Sequence, residues 1–427
     1  MQEAIKKYGD GIKVLIESNM PFRHVELEKR RFSAILIVCI YSTQLAIAAI
    51  LNHFYLIAQH PLFWTSLYYI ISFFAAVPQA GFSDETGRKK HLLIASSCVL
   101  SAVIWLFSVD MFKKLSPNLW PSITSLISIF PVCLLLGLLG NVIPIARGCL
   151  AALKLHDFQA AIGLTTSAIG LGWITVDFLT LALGPVGTLF FSIALQTVVI
   201  ICIKVLYLFK EDQSSHKKAI IRKSYKWLLT MLFVTGGAAA LVAYLLTEAT
   251  FYQIYILDEL PTNPIGKKII GSLMGIGYSV GVLMLWIVKP SSKNSIKFGL
   301  SFSIFCLLFL IFTNYLFSEN RLRLEAIYSL RINGIAQFCF ALGFGFFVPA
   351  LFALMSNHIH PRHFGRLFGA VDSTDTAALY FSSFLLNIKT KLNFSNQQVY
   401  PVLLVLFSLS LILYRKVIRL FKSYEKD

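Results

Sequence analysis

The sequence predicts an all-α membrane protein with twelve transmembrane helices in two pseudo-symmetric six-helix halves, both termini being cytoplasmic. Three observations predict this class: the apolar composition, the spacing of the apolar stretches and the distribution of charge. Hydrophobic residues make up 56% of the 427 positions, charged residues only 14%, and mean hydropathy is +0.70. A soluble domain has about 45–50% apolar and about 25% charged residues. So apolar a chain cannot present a polar surface to water on every side, which favours a lipid environment.

Apolar stretches of about 20 residues, the length that crosses a bilayer, follow one another along the chain. Breaks in hydropathy, Pro and Gly residues and charge clusters separate them. Spans are predicted at residues 32–57, 61–83, 91–109, 123–150, 159–183, 186–209, 227–257, 269–288, 298–317, 328–355, 367–388 and 398–414. The first span begins too late in the chain for a cleaved signal sequence.

The spans define five predicted segments. A cytoplasmic N-terminal segment (1–31) is expected as a short amphipathic helix on the membrane surface or as a disordered tail. The N-terminal bundle (32–209) and the C-terminal bundle (227–414) flank a polar, basic cytoplasmic linker (210–226), and a cytoplasmic tail follows (415–427).

The net charge of +17 is explained by the connecting segments. Most of the 38 Lys and Arg residues lie in the termini and in the connections that share their side of the membrane. Basic loops are typical of the cytoplasmic face, so both termini are predicted to be cytoplasmic. Two termini on the same side require an even number of spans. The basic residues form no continuous surface of the kind that binds nucleic acid, and no nucleic-acid partner is expected.

A weak repeat relates the two halves. Gly140 and Pro144 in the fourth span recur as Gly345 and Pro349 in the tenth. A second set, shifted by one residue, pairs Phe158, Gly163 and Ser167 with Phe364, Gly369 and Ser373. Internal repeats of this kind are typical of secondary transporters.

The connection between the second and third spans carries the most specific motif. Residues 80–90 read AGFSDETGRKK. Gly87 permits a tight turn, and the basic residues after it hold the turn at the anionic inner leaflet. This pattern resembles the loop motif of the major facilitator superfamily, in which Gly, Asp, a basic residue, any residue, Gly and two basic residues follow in order. The motif residues are Gly81, Asp84, Gly87, Arg88 and Lys89.

The resemblance implies a gating contact. In the family, the Asp of this motif interacts with the positive N-terminal end of a helix, which here is the start of the eleventh span near Gly365 and Arg366. Two residues depart from the pattern. Glu85 stands where the family usually has Arg or Lys, so a rearranged charge network is expected, and Ala80 stands where the leading Gly is commonest.

Charged residues inside spans need a functional or structural reason, because each costs about 2.5–3.5 kcal/mol at mid-bilayer on insertion scales. By the family's arrangement they fall on helices that line or flank a central cavity. The predicted proton-coupling groups are Asp177, Glu248, Asp372, Asp375 and His53. Asp177 and Glu248 are coupling groups or members of structural ion pairs. Asp372 and Asp375 lie three residues apart on one helical face, where they form a proton relay, cap a helix or pair with Arg147.

The candidate solute contacts are polar residues of the first, fourth and tenth spans: Gln44, Asn52, Asn141, Arg147, Asn333 and Gln337. Gln44 and Asn52 share one helical face because they lie eight residues apart. Arg147 occupies the position of an Arg found in the family's fourth helix, where a structural or gating role is the alternative to solute binding.

These observations predict a secondary, proton-coupled transporter that moves a small polar or anionic solute by alternating access, in the inner membrane of a bacterium. The alternatives are an efflux antiporter for amphipathic drugs or lipids and, more remotely, a membrane enzyme or a non-transporting receptor. No enzymatic activity, cofactor or metal is expected: the seven cysteines all lie in apolar runs, and no phosphate-binding loop is present. The expected partners are the solute and the lipid bilayer, with the protein a monomer.

Overall fold

The computed structural model describes residues 2–57, 61–115, 124–153, 158–206, 229–230, 233–234, 264–316, 323–357, 359, 361–392 and 396–424. Within these ranges the backbone forms helices and turns and contains no strand. The helices are α1 (Gln2–Ile57), α2 (Pro61–Thr86), α3 (Arg88–Leu115), α4 (Thr124–Leu134), α5 (Val142–Ala152), α6 (Phe158–Leu206), α7 (Pro264–Val288), α8 (Ser292–Leu316), α9 (Arg323–Asn357), α10 (Phe364–Lys391) and α11 (Asn396–Tyr424).

These helices cover eleven of the predicted spans. The seventh predicted span lies outside the described residues except for two short helical pieces at 229–230 and 233–234, and the count of twelve spans and the cytoplasmic termini stay predictions. The first helix differs from expectation in its length: it begins at Gln2 and runs without interruption into the first span, so the backbone of the N-terminal segment is an extension of α1.

Five helices in the described residues are long and apolar enough to cross a membrane. Many large apolar side chains on the outside of the bundle are exposed, for example Phe74, Phe305 and Val405. Inside the bundle, aromatic rings pack edge to face, as Phe340 does against Phe407. An apolar outer surface around an apolar core is typical of a multi-pass membrane protein.

Backbone breaks occur where the sequence supplies Gly and Pro. The long helix α6 contains the fifth and sixth predicted spans, and its direction changes at Gly184, whose φ of 73° suits glycine and few other residues. Pro185 follows, and its missing N–H is tolerated because the first turn of a new helix leaves that donor unused. The break falls between the two spans as predicted.

The fourth predicted span is also broken. It consists of α4, a π-helical segment (Leu135–Leu139) and α5. Gly140 and Asn141 interrupt the helical backbone, with ψ angles of 14° and 61°. A π-helical turn of this kind often marks a functional site.

The two halves contact each other along several helix pairs. Two of these pairs, α2 with α10 and α6 with α7, are called the seam below. Glycine allows the close approach. A Cβ added at Gly369 would lie 2.7 Å from the carbonyl oxygen of Ala76. On the other side, a Cβ added at Gly163 would lie 2.9 Å from Val282. Gly163 and Gly369 are partners in the sequence repeat, and each lies where one half meets the other.

Candidate functional site: a charge cluster between the halves

Arg147 of α5 is a buried charged side chain with contacts to residues of both halves. It is 2% exposed. Its Nε donates to Thr165 Oγ1 at 3.2 Å, and Nη2 donates to Thr166 Oγ1 at 3.0 Å. Its guanidinium carbon lies 5.0 Å from the ring centre of Phe352, a distance at which a cation is attracted to the face of an aromatic ring. Two hydroxyls of α6 and one ring of α9 therefore fix the orientation of the guanidinium.

Asp372 and Asp375 lie on α10, in the other half. Both interact electrostatically with Arg147, and Asp375 also interacts with Asp372. Both side chains are half-buried. Among the described residues, neither carboxylate forms a hydrogen bond or an ion pair. These three predicted site residues come from two predicted spans, the fourth and the eleventh, and Arg147 is the partner that the sequence analysis offered for the two aspartates.

Two tyrosines complete the cluster. Tyr278 of α7 interacts electrostatically with Arg147 and Asp375, and Thr166 lies beside it. Tyr68 of α2 interacts with Asp372. Sequence reasoning missed both tyrosines, and it missed the threonine pair as well. Tyr278 could have been identified by its position between glycines of the eighth span. The threonines could have been identified as two adjacent hydroxyl side chains in the fifth span.

The other predicted solute contacts take several positions. Asn141 is buried, and its amide is saturated: Nδ2 donates to Gln79 Oε1 at 2.8 Å and to the carbonyl oxygen of Gly137 at 3.1 Å, and Oδ1 accepts from Ser72 Oγ at 3.1 Å. Because Gln79 Nε2 in turn donates to Leu139 O at 2.5 Å, this network ties the π-helical segment to α2. A role for Asn141 in solute binding stays a prediction.

Gln44 of α1 is buried where α1 meets α6: a Cβ added at Gly172 would lie 3.0 Å from the Gln44 side chain. Asn52 is half-buried on the same helix. Gln337 is buried on α9, and its Oε1 has no hydrogen-bond partner in the described part of the chain. The side chain of Asn333 is outside the described residues.

Of the remaining predicted coupling groups, Asp177 is half-buried on α6 and Glu248 lies outside the described residues. His53 is buried on α1 with its Nε2 3.6 Å from Asp110 Oδ1 on α3. Sequence reasoning did not single out Asp110 because it lies just past the predicted end of the third span. His53 and Asp110 both belong to the N-terminal half, whereas the Arg147 cluster joins the two halves.

The motif loop (residues 84–90) makes the contact that the resemblance implied. Asp84 Oδ1 accepts from the backbone N–H of Gly365 at 2.9 Å, and Oδ2 accepts from that of Arg366 at 3.0 Å. These N–H groups belong to the first turn of α10, where the helix dipole favours a negative charge. Arg88 forms a salt bridge with the same carboxylate at 2.7 Å.

The residues around Asp84 form the turn and further contacts beside it. Gly87 has a φ of +105°, which forms the turn, and Arg366 Cγ would lie 3.0 Å from a Cβ at Gly81. Glu85, the departure from the family pattern, forms an ion pair with the Arg366 side chain. Lys89 donates to the carbonyl oxygen of Lys204 near the end of α6. The two halves are thus joined at the end of the bundle that carries the motif loop, called the motif end below.

The fold and the cluster define a class of protein: a multi-pass helical bundle with charged groups between two halves that are joined at the motif end. No protein-family model matches the sequence, and no curated protein matches it. Solved structures do match.

A bacterial homologue of the iron transporter ferroportin, in an outward-facing state, is 13% identical with a TM-score of 0.67, over 91% of this chain and 99% of that one. The human organic anion transporter MFSD10 (TETRAN) is 13% identical with a TM-score of 0.67, over 90% and 99%. FucP of the major facilitator superfamily, from E. coli, is 11% identical in its outward conformation with a TM-score of 0.64, over 90% and 98%.

At these identities the likeness shows the fold. The chain therefore has the fold of the major facilitator superfamily transporters, and the resemblance recognised in the sequence is confirmed at that level.

Proposed function

We propose that this protein is a secondary transporter that couples the movement of protons to that of a small polar or anionic solute, by alternating access across a bacterial inner membrane. The observation that carries the proposal is the cluster of Arg147, Asp372 and Asp375 between the halves. A site that both halves build changes its access when the halves rock against each other, and secondary transporters bind at such repeat interfaces. The structural neighbours, all titled as transporters or transporter homologues, support this assignment.

The charges of the cluster supply a coupling mechanism. With both carboxyls ionised, the cluster carries one positive and two negative charges. With both protonated, only the positive charge of Arg147 remains. In a low-dielectric interior the first state repels an anion and the second attracts it, so protonation and anion binding favour each other. By thermodynamic linkage, protonation raises the affinity for the anion by the same factor as the anion raises the affinity for protons. This mutual increase in affinity is the coupling that symport requires.

Contacts between the two halves supply the gate. The contact of Asp84 with the first turn of α10 closes the motif end, which is cytoplasmic by the distribution of Lys and Arg. A second contact lies between the start of α6 and that of α8, where Gln159 donates to Ser295 at 3.0 Å and accepts from Ser292 at 2.9 Å. Inward opening would break both sets of contacts. Closure at this end agrees with the outward-facing titles of the ferroportin homologue and FucP.

The proposal is tested in proteoliposomes that contain the purified protein. A thermal-shift panel of small carboxylates, phosphate, neutral sugars and amphipathic cations first selects a solute. We expect Asp372→Asn with Asp375→Asn to abolish accumulation driven by a pH gradient while exchange at equal solute concentrations persists. Glu28→Gln, which neutralises an exposed carboxyl outside the site, is the matched control and should accumulate solute normally.

Uphill accumulation by the double Asn variant at the wild-type rate would contradict this assignment of the coupling site. Asp177→Asn is measured in parallel, since Asp177 stays a predicted coupling group. Selection of amphipathic cations in the panel, with proton-driven export, would favour the efflux alternative.

A further inference from the structure

The aromatic ring of Phe352 joins the two halves inside the motif end. Phe352 lies on α9, in the C-terminal half, and is 1% exposed. The guanidinium carbon of Arg147, in the N-terminal half, lies 5.0 Å from the centre of this ring. The same ring packs edge to face against Phe368 of α10, with the ring centres 6.2 Å apart. The contact with Arg147 therefore crosses the boundary between the halves, whereas the contact with Phe368 lies within one half.

These three side chains lie about one helical turn inside the motif end. Phe368 follows Gly365 by three residues on α10, which is about 4.5 Å along the helix axis. Arg147 directly precedes Gly148, where an added Cβ would lie 3.4 Å from the backbone nitrogen of Gly365. All three side chains are almost fully buried, so in the closed state they are shielded from water at the motif end.

Each partner of the contact is fixed within its own half. Thr165 and Thr166 accept hydrogen bonds from Arg147 at 3.2 and 3.0 Å, and all three residues belong to the N-terminal half. Phe352 is held by its packing against Phe368. Separation of the halves at the motif end therefore takes the guanidinium away from the ring and preserves the contacts within each half. A cation over an aromatic ring contributes most where water is excluded, and that contribution belongs to the closed state alone.

We propose that Phe352 is a gating residue, and that the attraction between its ring and the Arg147 guanidinium stabilises closure of the motif end. This attraction acts inside the contact of Asp84 with α10 and adds to it. Opening exchanges it for hydration of the guanidinium by water that enters from the motif end. The inference rests on alternating access in the proposed function, and it depends neither on proton coupling nor on the solute.

The test changes the charge distribution of the ring while nearly preserving its shape. Phenylalanine analogues with an increasing number of ring fluorines are incorporated at position 352 of the full chain in proteoliposomes. Fluorine withdraws negative charge from the ring face and weakens its attraction for a cation. Spin labels at Phe82 and Phe298, exposed on α2 and α8, report the separation of the halves by pulsed electron–electron double resonance. We expect the ratio of the longer to the shorter distance to rise with each added fluorine, by ~5–30-fold for the most fluorinated ring.

Phe368 provides the matched control. The same analogues at position 368 change the pair of rings but leave the ring of Phe352 unaltered. Because both rings belong to one half and stay together when the halves separate, the distance ratio should stay at its wild-type value.

A second measurement uses ordinary substitutions. Phe352→Leu removes the ring and keeps an apolar side chain, and it should raise the distance ratio in the wild-type background. The same substitution should have little effect in Arg147→Gln, because the cation that the ring attracts is then absent.

An unchanged ratio across the fluorinated series at position 352, or an equal rise across the series at position 368, would overturn the inference. So would an effect of Phe352→Leu that is as large in Arg147→Gln as in the wild-type background. These distances are measured without transport, so the result is separate from the test of the proposed function. Intact proton-driven accumulation by Asp372→Asn with Asp375→Asn would refute the coupling site and leave the gating role of Phe352 standing.

Discussion

Substitution of Gly365 by Ala should open the motif end. A Cβ at this position would lie 2.8 Å from Asp84 Oδ1 and closer still to the carbonyl oxygen of Ala80. Both neighbours are fixed, since Ala80 O belongs to the backbone and the Asp84 carboxylate is held by Arg88. The methyl group can be accommodated only if α10 moves away from α2.

The displacement can be converted to a free energy. An ordinary carbon–oxygen contact of about 3.4 Å to Asp84 Oδ1 requires a shift of ~0.6 Å, and the closer Ala80 oxygen requires a larger one. Such a shift lengthens the hydrogen bonds from the N–H groups of Gly365 and Arg366 to Asp84, now 2.9 and 3.0 Å, to the limit of hydrogen bonding. Each bond to a charged group contributes roughly 1.5–3 kcal/mol. Loss of both shifts the balance toward the open motif end by about 3 kcal/mol or more, roughly 100-fold.

Pulsed electron–electron double resonance measures this shift. Spin labels at Phe82 and Phe298, both exposed near the motif end, report the separation of the halves. We expect Gly365→Ala to populate a longer distance. Gly170→Ala is the matched control, since its Cβ would lie an ordinary 3.8 Å from Gly275. An unchanged distance distribution in a well-folded Gly365→Ala protein would refute the reasoning.

Two further predictions concern contacts around the motif loop and the broken fourth span. Glu85→Arg should raise the ratio of the longer to the shorter distance by up to about 5-fold, because exposed ion pairs contribute about 0–1 kcal/mol. The double variant Glu85→Arg with Arg366→Glu should restore the wild-type ratio. High salt should remove the difference between the single variant and the wild type. A shift that persists in the double variant would contradict the ion-pair explanation. Asn141→Ala should lower the free energy of unfolding by roughly 2–4 kcal/mol, since Ser72 and Gln79 lose buried hydrogen bonds; the melting temperature in detergent measures this, and an unchanged value would count against the network.

The order of the helices could be predicted because apolar stretches long enough to cross a bilayer are visible in the sequence. The break at Gly184 is an example, since Gly and Pro interrupt an otherwise continuous apolar run. The contact of Asp84 with the start of α10 could be expected only through the family resemblance. Nothing in the residues around Asp84 indicates which distant helix supplies the partner.

The sequence did not predict which face of each helix points to the interior of the bundle. A soluble helix shows its inner face as an apolar stripe, but a helix in lipid is apolar on every side, so this signal is lost. Sequence reasoning therefore found Arg147, Asp372 and Asp375, whose charge is conspicuous in a span, and missed Tyr278 and the threonines. His53 was found for its chemistry, whereas its neighbour Asp110 was missed because of its position at a span end.

The bend at Gly184 has a mechanical consequence. The fifth and sixth spans are joined there without an intervening loop, so a displacement of one span is passed directly to the other. Gln196 in the sixth span accepts from Ser42 of α1 at 2.8 Å and donates to the Ser96 carbonyl oxygen of α3 at 3.4 Å, which ties this span to the rest of its half. A displacement of the fifth span at the seam is then passed to the sixth span and, through Gln196, to α1 and α3.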